Sequence, residues 1–283
     1  MKHARNEKER VREYWDRKPL FTSEIDRCDL VQYFREVDRL KREEIEVFAL
    51  AFWEFDKHRG EDVLDLGCGP GWLTVQYASH GAGATALDLS QSSLAMTRDI
   101  LKDQGLEAAL VNADCEHLPF ESNRFDFVSA SGVLHHTPDT RAGVGELFRV
   151  LKPGGRAAVS LYYQNALLSP ALFPMTRLVL KLLGIKKPDA RLGRAGSVEE
   201  LGALYDGEGN PYGRIYSRRS AMDLFSGFKF DPARDVEIHY FPKRFLPFGH
   251  WIRGRLFKWL DHACGTMIYL KLTKPAGASD ERA

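Results

Sequence analysis

The residues with the clearest chemical potential lie in a glycine-rich turn that follows an apolar run. Residues 63–72 read VLDLGCGPGW, with one acid, Asp65, inside the apolar part and three glycines spaced two residues apart. The apolar part predicts a buried parallel strand, and the glycines let the backbone turn sharply and pass close to a ligand before a helix that begins near Trp72. This segment therefore predicts a nucleotide or nucleoside bound against bare backbone.

A second acid, Asp88, closes another apolar strand about 20 residues downstream, where a carboxylate can accept both hydroxyls of a ribose. A dinucleotide fingerprint would need a third glycine at the position that Trp72 occupies. The turn instead suits a ligand with a charged amino-acid tail, because Asp65 can face its ammonium group and backbone amides can face its carboxylate. These features describe S-adenosylmethionine.

With these motifs the chain resembles the class I S-adenosylmethionine-dependent methyltransferases, in the small-molecule, type 11/25-like branch whose signature runs L-D-L-G-C-G-x-G. Three further segments are similar to the family: residues 111–120 to its adenine segment, 125–136 to its fourth strand and the loop beside the reactive methyl, and 147–155 to its helix and entry to the fifth strand. Four motifs in order over residues 60–163 make the resemblance specific.

The resemblance implies a cofactor site and a reaction. In it, Asp114 takes the exocyclic amine of adenine and the amide of Cys115 meets a ring nitrogen. The expected cofactor-binding residues are Asp65, Gly67, Cys68, Gly69, Gly71, Asp88, Leu89, Asp114, Cys115 and Ser131. The implied reaction is direct in-line transfer from the sulfonium to an oxygen, nitrogen or carbon of a small-molecule or lipid-like acceptor, which leaves S-adenosylhomocysteine as product.

Two adjacent histidines, His135 and His136, are the candidate catalytic residues. They follow the fourth predicted strand, where the fold brings the acceptor near the methyl group, and imidazole titrates close to neutral pH. Either histidine could instead cap the next helix or order the loop, and Tyr162 is a weaker candidate base. The pair could also form a metal site with Asp139, but adjacent histidines point in different directions and no further ligand pattern supports one, so no metal is predicted.

The elements that position these residues are predicted to form an α/β fold: a Rossmann-like, doubly wound, mostly parallel sheet of seven strands. The predicted parts are an N-terminal helical cap at 1–59, the cofactor-binding core at 60–163, an inserted substrate cap at 164–215, and the rest of the core sheet at 216–283 with a basic aromatic insertion at 241–265. The cap is predicted to be helical throughout, charged at first and then amphipathic over 31–38 and 45–55. Alternating apolar residues predict the last strand pair at 235–240 and 267–272.

Two regions outside the core raise separate questions. The aromatic residues Tyr14, Trp15, Tyr33 and Phe34 could form a wall for the acceptor or the methionine tail, although aromatics at helical spacing more often belong to a core. The loop at 206–211 is rich in turn residues and is expected to return the chain from the insertion to the core.

The stretch 241–260 carries five Lys or Arg residues and no acid, interleaved with aromatic rings. It could bind an anionic or lipid-like acceptor, lie peripherally on a membrane surface, or form an amphipathic helix with a solvated basic face. A nucleic-acid partner is not expected. The chain has neither an Asn-Pro-Pro-Tyr loop nor a Pro-Cys nucleophile, and its formal net charge is only +1.

Composition agrees with an enzyme built on one core. The 283 residues, 44% of them hydrophobic, suffice for one sizeable core with appendages. Four scattered cysteines and a charged N-terminal segment without a signal-peptide core predict a cytoplasmic location. The sequence thus predicts a small-molecule methyltransferase. An S-adenosylmethionine-binding regulatory protein without turnover remains an alternative, as does a nicotinamide-dependent oxidoreductase, which Trp72 disfavours.

Overall fold

The fold comes from a computed structural model that describes residues 2–22, 24–26, 28–182, 186–187, 190–243, 246 and 249–277. Within these residues the helices are α1 (Lys2–Arg17), α2 (Leu30–Leu40), α3 (Ala49–Trp53), α4 (Trp72–Ser79), α5 (Gln91–Asp103), α6 (Thr140–Val150), α7 (Phe173–Leu182), α8 (Val198–Tyr205), α9 (Arg218–Leu224) and α10 (Gly254–Cys264). The strands are β1 (Asp62–Leu66), β2 (Gly83–Asp88), β3 (Ala109–Asn112), β4 (Phe125–Ser131), β5 (Leu151–Tyr163), β6 (Lys186–Lys187), β7 (Ala190–Arg191), β8 (Ile215–Tyr216), β9 (Val236–His239) and β10 (Met267–Thr273).

The central sheet has the strand order β3-β2-β1-β4-β5-β10-β9. Strands β1 to β5 pair in parallel, whereas β10 runs antiparallel to both β5 and β9. The two-residue strand β8 adds to this seven-strand path by pairing with the end of β5. The predicted α/β class, with a mostly parallel doubly wound sheet, is confirmed, and the order reverses between β1 and β4, where ligands bind in open sheets of this kind.

Helices cover both faces of the sheet because each parallel strand buries both of its faces. On β1, Leu64 and Leu66 point to the side covered by α6 and α9, while Val63 packs with residues of α2 to α5 on the other side. Asp65 shares the Val63 face, since side chains alternate along a strand. A carboxylate is thereby buried in an otherwise apolar layer.

The N-terminal region is helical but less regular than predicted. The amphipathic stretch from Ile45 to Phe55 was expected to be one helix, yet only α3 forms within it. A π-helical turn at Lys41–Ile45 continues α2. Glu54 ends α3 because its backbone adopts the left-handed conformation, with φ +53°. Of the four aromatics considered for a wall, Tyr33 and Phe34 pack in the core beside α4.

The insertion and the C-terminal part of the chain meet at the carboxyl end of β5. Asn165 donates its side-chain amide to the carbonyls of Cys264 and Gly265 at the end of α10, at 2.9 and 3.1 Å. Arg244, Phe245 and Phe248 of the basic aromatic stretch lie outside the described residues. Across the described part of the chain, no helix combines the length and the apolar character that a bilayer crossing requires.

Candidate active site

The five parallel strands end along one edge of the sheet, and a cavity opens there. The predicted residues that line it are Gly67, Gly69, Asp88, Leu89, Asp114, Cys115, Ser131, His135 and His136. They come from the ends of β1, β2, β3 and β4, so residues up to 69 positions apart meet in one place. Three predicted residues, Asp65, Cys68 and Gly71, do not line this cavity.

The end of the cavity near β1 and β2 combines bare backbone with a carboxylate. Gly69 has φ +52°, a conformation that favours glycine, and a Cβ built on it would meet no atom within 4 Å. Its amide donates to Asp88 Oδ2 at 2.8 Å, while the amide of Ser90 donates to Oδ1, also at 2.8 Å. A carboxylate oxygen has two lone pairs, so Asp88 keeps capacity to accept two hydroxyl groups from a ligand.

Asp65 lies beneath the glycine turn. Thr74 and Ser129 donate their hydroxyls to its two oxygens at 2.7 and 3.1 Å. Burial raises the pKa of Asp65 to about 6, although these hydrogen bonds pull it down. In this arrangement Asp65 ties β1 to α4 and β4. Its predicted contact with an ammonium group of the cofactor stays a prediction.

The glycine turn is tightly packed at Gly67, Cys68 and Gly71. Gly67 lines the cavity, whereas Cys68 and Gly71 do not. A Cβ on Gly71 would lie 2.5 Å from the side chain of Thr97, and one on Gly67 would lie 2.2 Å from that of Val133. Burial raises the pKa of the Cys68 thiol well above its usual range. Close packing at these positions fixes the path of the turn.

The segment after β3 supplies the second polar group at this end of the cavity. Asp114 accepts the amide of Glu116 at 2.9 Å through Oδ1, and its Oδ2 contacts the ammonium group of Lys8. Lys8 also lies 2.7 Å from Glu116, whose carboxylate is buried. Lys8 comes from α1, in the part of the predicted helical cap that the sequence marks only as charged. Nothing in its local pattern distinguishes it from the neighbouring charged residues.

Helix α1 covers the cavity. Besides the Lys8 contact, Ser90 Oγ donates to Asp16 Oδ1 at 2.9 Å, and Ser92 Oγ donates to the Asp16 carbonyl at 2.8 Å. The ring of Trp15 lines the cavity and meets the ring of His136 edge to face, with centroids 5.2 Å apart. Of the four aromatic residues Tyr14, Trp15, Tyr33 and Phe34, Trp15 is therefore the one that lines the cavity.

His135 is fully buried in the cavity wall, and neither of its ring nitrogens has a hydrogen-bond partner among the described residues. Its ring centroid lies 4.0 Å from that of Tyr162 and 4.1 Å from that of His136. Burial, with a smaller contribution from His136, lowers the pKa of His135 well below its usual value. The imidazole is therefore neutral at pH 7, with one nitrogen able to accept a proton or a hydrogen bond.

His136, in contrast, has both ring nitrogens engaged. Nδ1 lies 2.6 Å from the carbonyl oxygen of Tyr212, which can only accept, so Nδ1 carries a proton. Nε2 lies 3.2 Å from Asp206 Oδ2. The hydroxyl of Tyr162 donates to the same carboxylate oxygen, and the side-chain amide of Asn210 lies 3.4 Å from it. This network fixes the orientation of His136.

The network includes residues that sequence reasoning missed. Asp206 and Asn210 belong to the turn-rich stretch 206–211, which is expected only to return the chain to the core, and Tyr212 follows it directly. The stretch does return the chain, since Arg214 donates its amide to the carbonyl of His135 at 3.0 Å and β8 follows. No spacing in the sequence links these residues to His136, because the contact exists only after the insertion folds back on the core.

The remaining cavity wall is aromatic and carries one buried ion pair. The aromatic lining beyond Trp15 and Tyr162 consists of Phe21, Tyr205, Tyr240 and Tyr269. Lys41 Nζ lies 3.2 Å from Glu46 Oε1, and the other oxygen of Glu46 accepts the indole N–H of Trp53 at 2.9 Å. The cavity thus has a polar end at β1 to β3 and a mainly apolar end beyond the histidines.

Comparison with known proteins identifies the sheet and its loops. Residues 64–159 match the family model described as a methyltransferase domain. This part of the chain is therefore similar to methyltransferase domains. Two curated methyltransferases are similar to it: a ubiquinone biosynthesis O-methyltransferase of Coxiella burnetii, 33% identical over 107 residues, and a demethylmenaquinone methyltransferase of Corynebacterium glutamicum, 42% identical over 105 residues.

These matches cover 38% and 37% of this chain, and the chain spans less than half the length of the two relatives, 46% and 43%. A chain from the complex between the Haloferax volcanii Trm112 methyltransferase activator and a putative methyltransferase superposes with a TM-score of 0.57. That alignment covers 95% of this chain and 99% of the other at 17% identity, and so shows the shared fold alone. The insertion that supplies Asp206 lies outside the family match.

Proposed function

We propose that this protein is an S-adenosylmethionine-dependent methyltransferase that methylates a small, mainly apolar acceptor carrying an acidic ring hydroxyl, and releases S-adenosylhomocysteine. The observation that carries the proposal is the buried His135, which lines the same cavity as Gly69 and Asp88. The lining of one cavity therefore includes the residues suited to a nucleoside and a histidine whose ring nitrogens are unpaired among the described residues.

The cofactor fits the polar end of the cavity. Gly69 presents backbone where any side chain would enter ligand space, Asp88 can accept the two ribose hydroxyls, and Asp114 can accept the adenine amine. S-adenosylmethionine supplies a methyl group on a sulfonium, which is already electrophilic. The protein then has to align the acceptor, exclude water and take one proton.

We assign the proton-accepting role to His135 and a positioning role to His136. An unsatisfied buried nitrogen costs about 1–3 kcal/mol, so a site that keeps one gains from a ligand that supplies the missing hydrogen bond. His135 can take the proton of an acceptor hydroxyl through its unprotonated nitrogen. His136 cannot do so without breaking its contacts to Tyr212 and Asp206.

The class of acceptor follows from the lining of the other end of the cavity. Tyrosine, tryptophan and phenylalanine rings line the cavity together with His135, and flat rings pack well against such walls. The curated relatives are named for ubiquinone and menaquinone biosynthesis, which agrees with a ring-bearing acceptor. Methylation at oxygen is favoured because the neutral His135 can accept the hydrogen bond of a ring hydroxyl and take its proton as the methyl group is transferred.

The test pairs a binding measurement with turnover. We expect the protein to bind S-adenosylhomocysteine in a calorimetric titration and to methylate members of a panel of phenols and quinols. His135→Gln should lower turnover by about 10²–10⁴-fold, the usual contribution of general base catalysis, with S-adenosylhomocysteine affinity unchanged. His80→Gln, on the exposed end of α4, is the matched control and should leave both unchanged.

Three results would contradict this proposal. Absence of S-adenosylhomocysteine binding by the folded protein would remove the cofactor assignment. Binding without turnover on the whole panel would favour the regulatory alternative. Full turnover by His135→Gln would remove the role of His135 while leaving the methyltransferase assignment in place.

A further inference from the structure

The exposed apolar side chains of this protein are concentrated in two segments. Of eleven large apolar side chains exposed in the described residues, nine lie in 164–182 and 249–260. Leu172, just before α7, and Met175, Val179 and Leu182 on it are exposed, recur every three or four positions and so form one stripe. Near and on α10, Trp251, Leu256 and Trp259 are 74%, 55% and 63% exposed.

Contacts near the two segments link them. Leu246, just before the second segment, packs against a small core that includes Leu168 and Phe173 of the first. The side-chain amide of Asn165 holds the carbonyls at the end of α10. We call the exposed apolar residues of 164–182 and 249–260, together with Arg177, Lys181, Arg255 and Lys258, the apolar–basic surface.

Four basic residues of this surface are exposed to solvent. Arg177 and Lys181 lie on α7, and Arg255 and Lys258 lie on α10. All four are exposed, and among the described residues none of them forms an ion pair. Neither α7 nor residues 249–260 contain an acid. The apolar–basic surface therefore offers insertion of large apolar groups and attraction for anions at the same place.

We propose that the apolar–basic surface docks this protein peripherally on an anionic lipid bilayer. Leucine and tryptophan on one side of a helix, with Lys and Arg beside them, are the composition of helices that lie in the headgroup region. Tryptophan is favoured there because its ring is apolar and its N–H is polar. The proposal concerns a surface outside the cavity and does not depend on the reaction that takes place inside.

Charge favours a bilayer over a second copy of the chain. A two-fold contact would place the same surface on both partners and so bring arginine and lysine against arginine and lysine. Without an acid in α7 or in 249–260, nothing in these segments would compensate that repulsion. Anionic lipid headgroups would neutralise the same cations.

The test measures binding of the intact protein to vesicles of phosphatidylcholine with and without phosphatidylserine, by co-sedimentation at low and high salt. We expect binding to the anionic vesicles that falls as salt rises. Each cation near an anionic surface strengthens binding about fivefold, so Arg255→Ser with Lys258→Ser should weaken it about 25-fold. Trp259→Ser should weaken binding at both salt concentrations.

The matched control removes two cations elsewhere. Arg98 and Lys102 are exposed on α5, which packs on β2 and β3 at the opposite edge of the sheet from α10. Arg98→Ser with Lys102→Ser should leave vesicle binding unchanged. Equal binding to neutral and anionic vesicles, no binding to either, or an equal loss in the control pair would overturn the proposal. So would a dimer in sedimentation that Trp259→Ser abolishes.

Discussion

The protonation state of Asp88 makes cofactor binding dependent on pH. Burial raises the pKa of Asp88 to about 6, against the pull of the amides of Ser90 and Gly69, and the nearby carboxylate of Asp16 raises it further. Because the folded pKa lies above that of an unfolded chain, ionisation of Asp88 destabilises the free protein as the pH rises from about 4 to about 6. A ribose that donates two hydroxyls to the ionised carboxylate would reverse that effect.

We therefore expect the affinity for S-adenosylhomocysteine to rise between pH 5 and pH 7 and then to level off. With a pKa of about 6, about one molecule in eleven is ionised at Asp88 at pH 5 and about ten in eleven at pH 7. If only the ionised form binds, the affinity changes about tenfold, or about 1.4 kcal/mol. Calorimetric titrations at the two pH values, in buffers of different ionisation enthalpy, would measure both the affinity and the proton released.

The control for this prediction is Asp88→Asn, which keeps the shape of the side chain but cannot ionise. It should bind more weakly at pH 7 and lose the tenfold change, even though Asp65, whose pKa is also raised to about 6, still titrates. A flat affinity for the unchanged protein would refute the reasoning. A tenfold change that persists in Asp88→Asn would assign the pH dependence to another group.

Two further predictions concern the covering helix and the glycine turn. Lys8→Met removes the cation that contacts the carboxylates after β3, so the backbone amides of α1 should exchange with deuterium about tenfold faster. Arg12→Met removes only an exposed ion pair within α1 and should leave the exchange rates unchanged. Unchanged exchange after Lys8→Met would show that α1 is held by its other contacts. Gly67→Ala places a Cβ against the loop after β4 and should lower the free energy of unfolding about 1–3 kcal/mol more than Gly60→Ala, where φ is +77° but the space is open. Equal losses in a urea titration would mean that the overlap is relieved without cost.

Much of the fold could be predicted from the sequence because its signals are local. The strand that ends at the glycine turn, the strand that ends at Asp88 and the antiparallel pair β9 and β10 all follow from apolar runs or alternation within a few residues. The helix predicted from 45 to 55 is shorter in the structure, since Glu54 ends it in a left-handed conformation that no neighbouring residue signals.

The sequence alone determined the resemblance to class I methyltransferases, the fold class and the group of residues that meet at the edge of the sheet. The last of these follows because the ends of parallel strands must coincide once the strand order is known. It did not separate His135 from His136. Only the tertiary structure made that distinction, by bringing Asp206 and Tyr212 from an insertion some 70 residues away onto one histidine and leaving the other unpaired among the described residues. Such contacts depend on how the insertion folds back, and the free energy that selects them comes from burial and hydrogen bonds between distant segments rather than from any local pattern of residues.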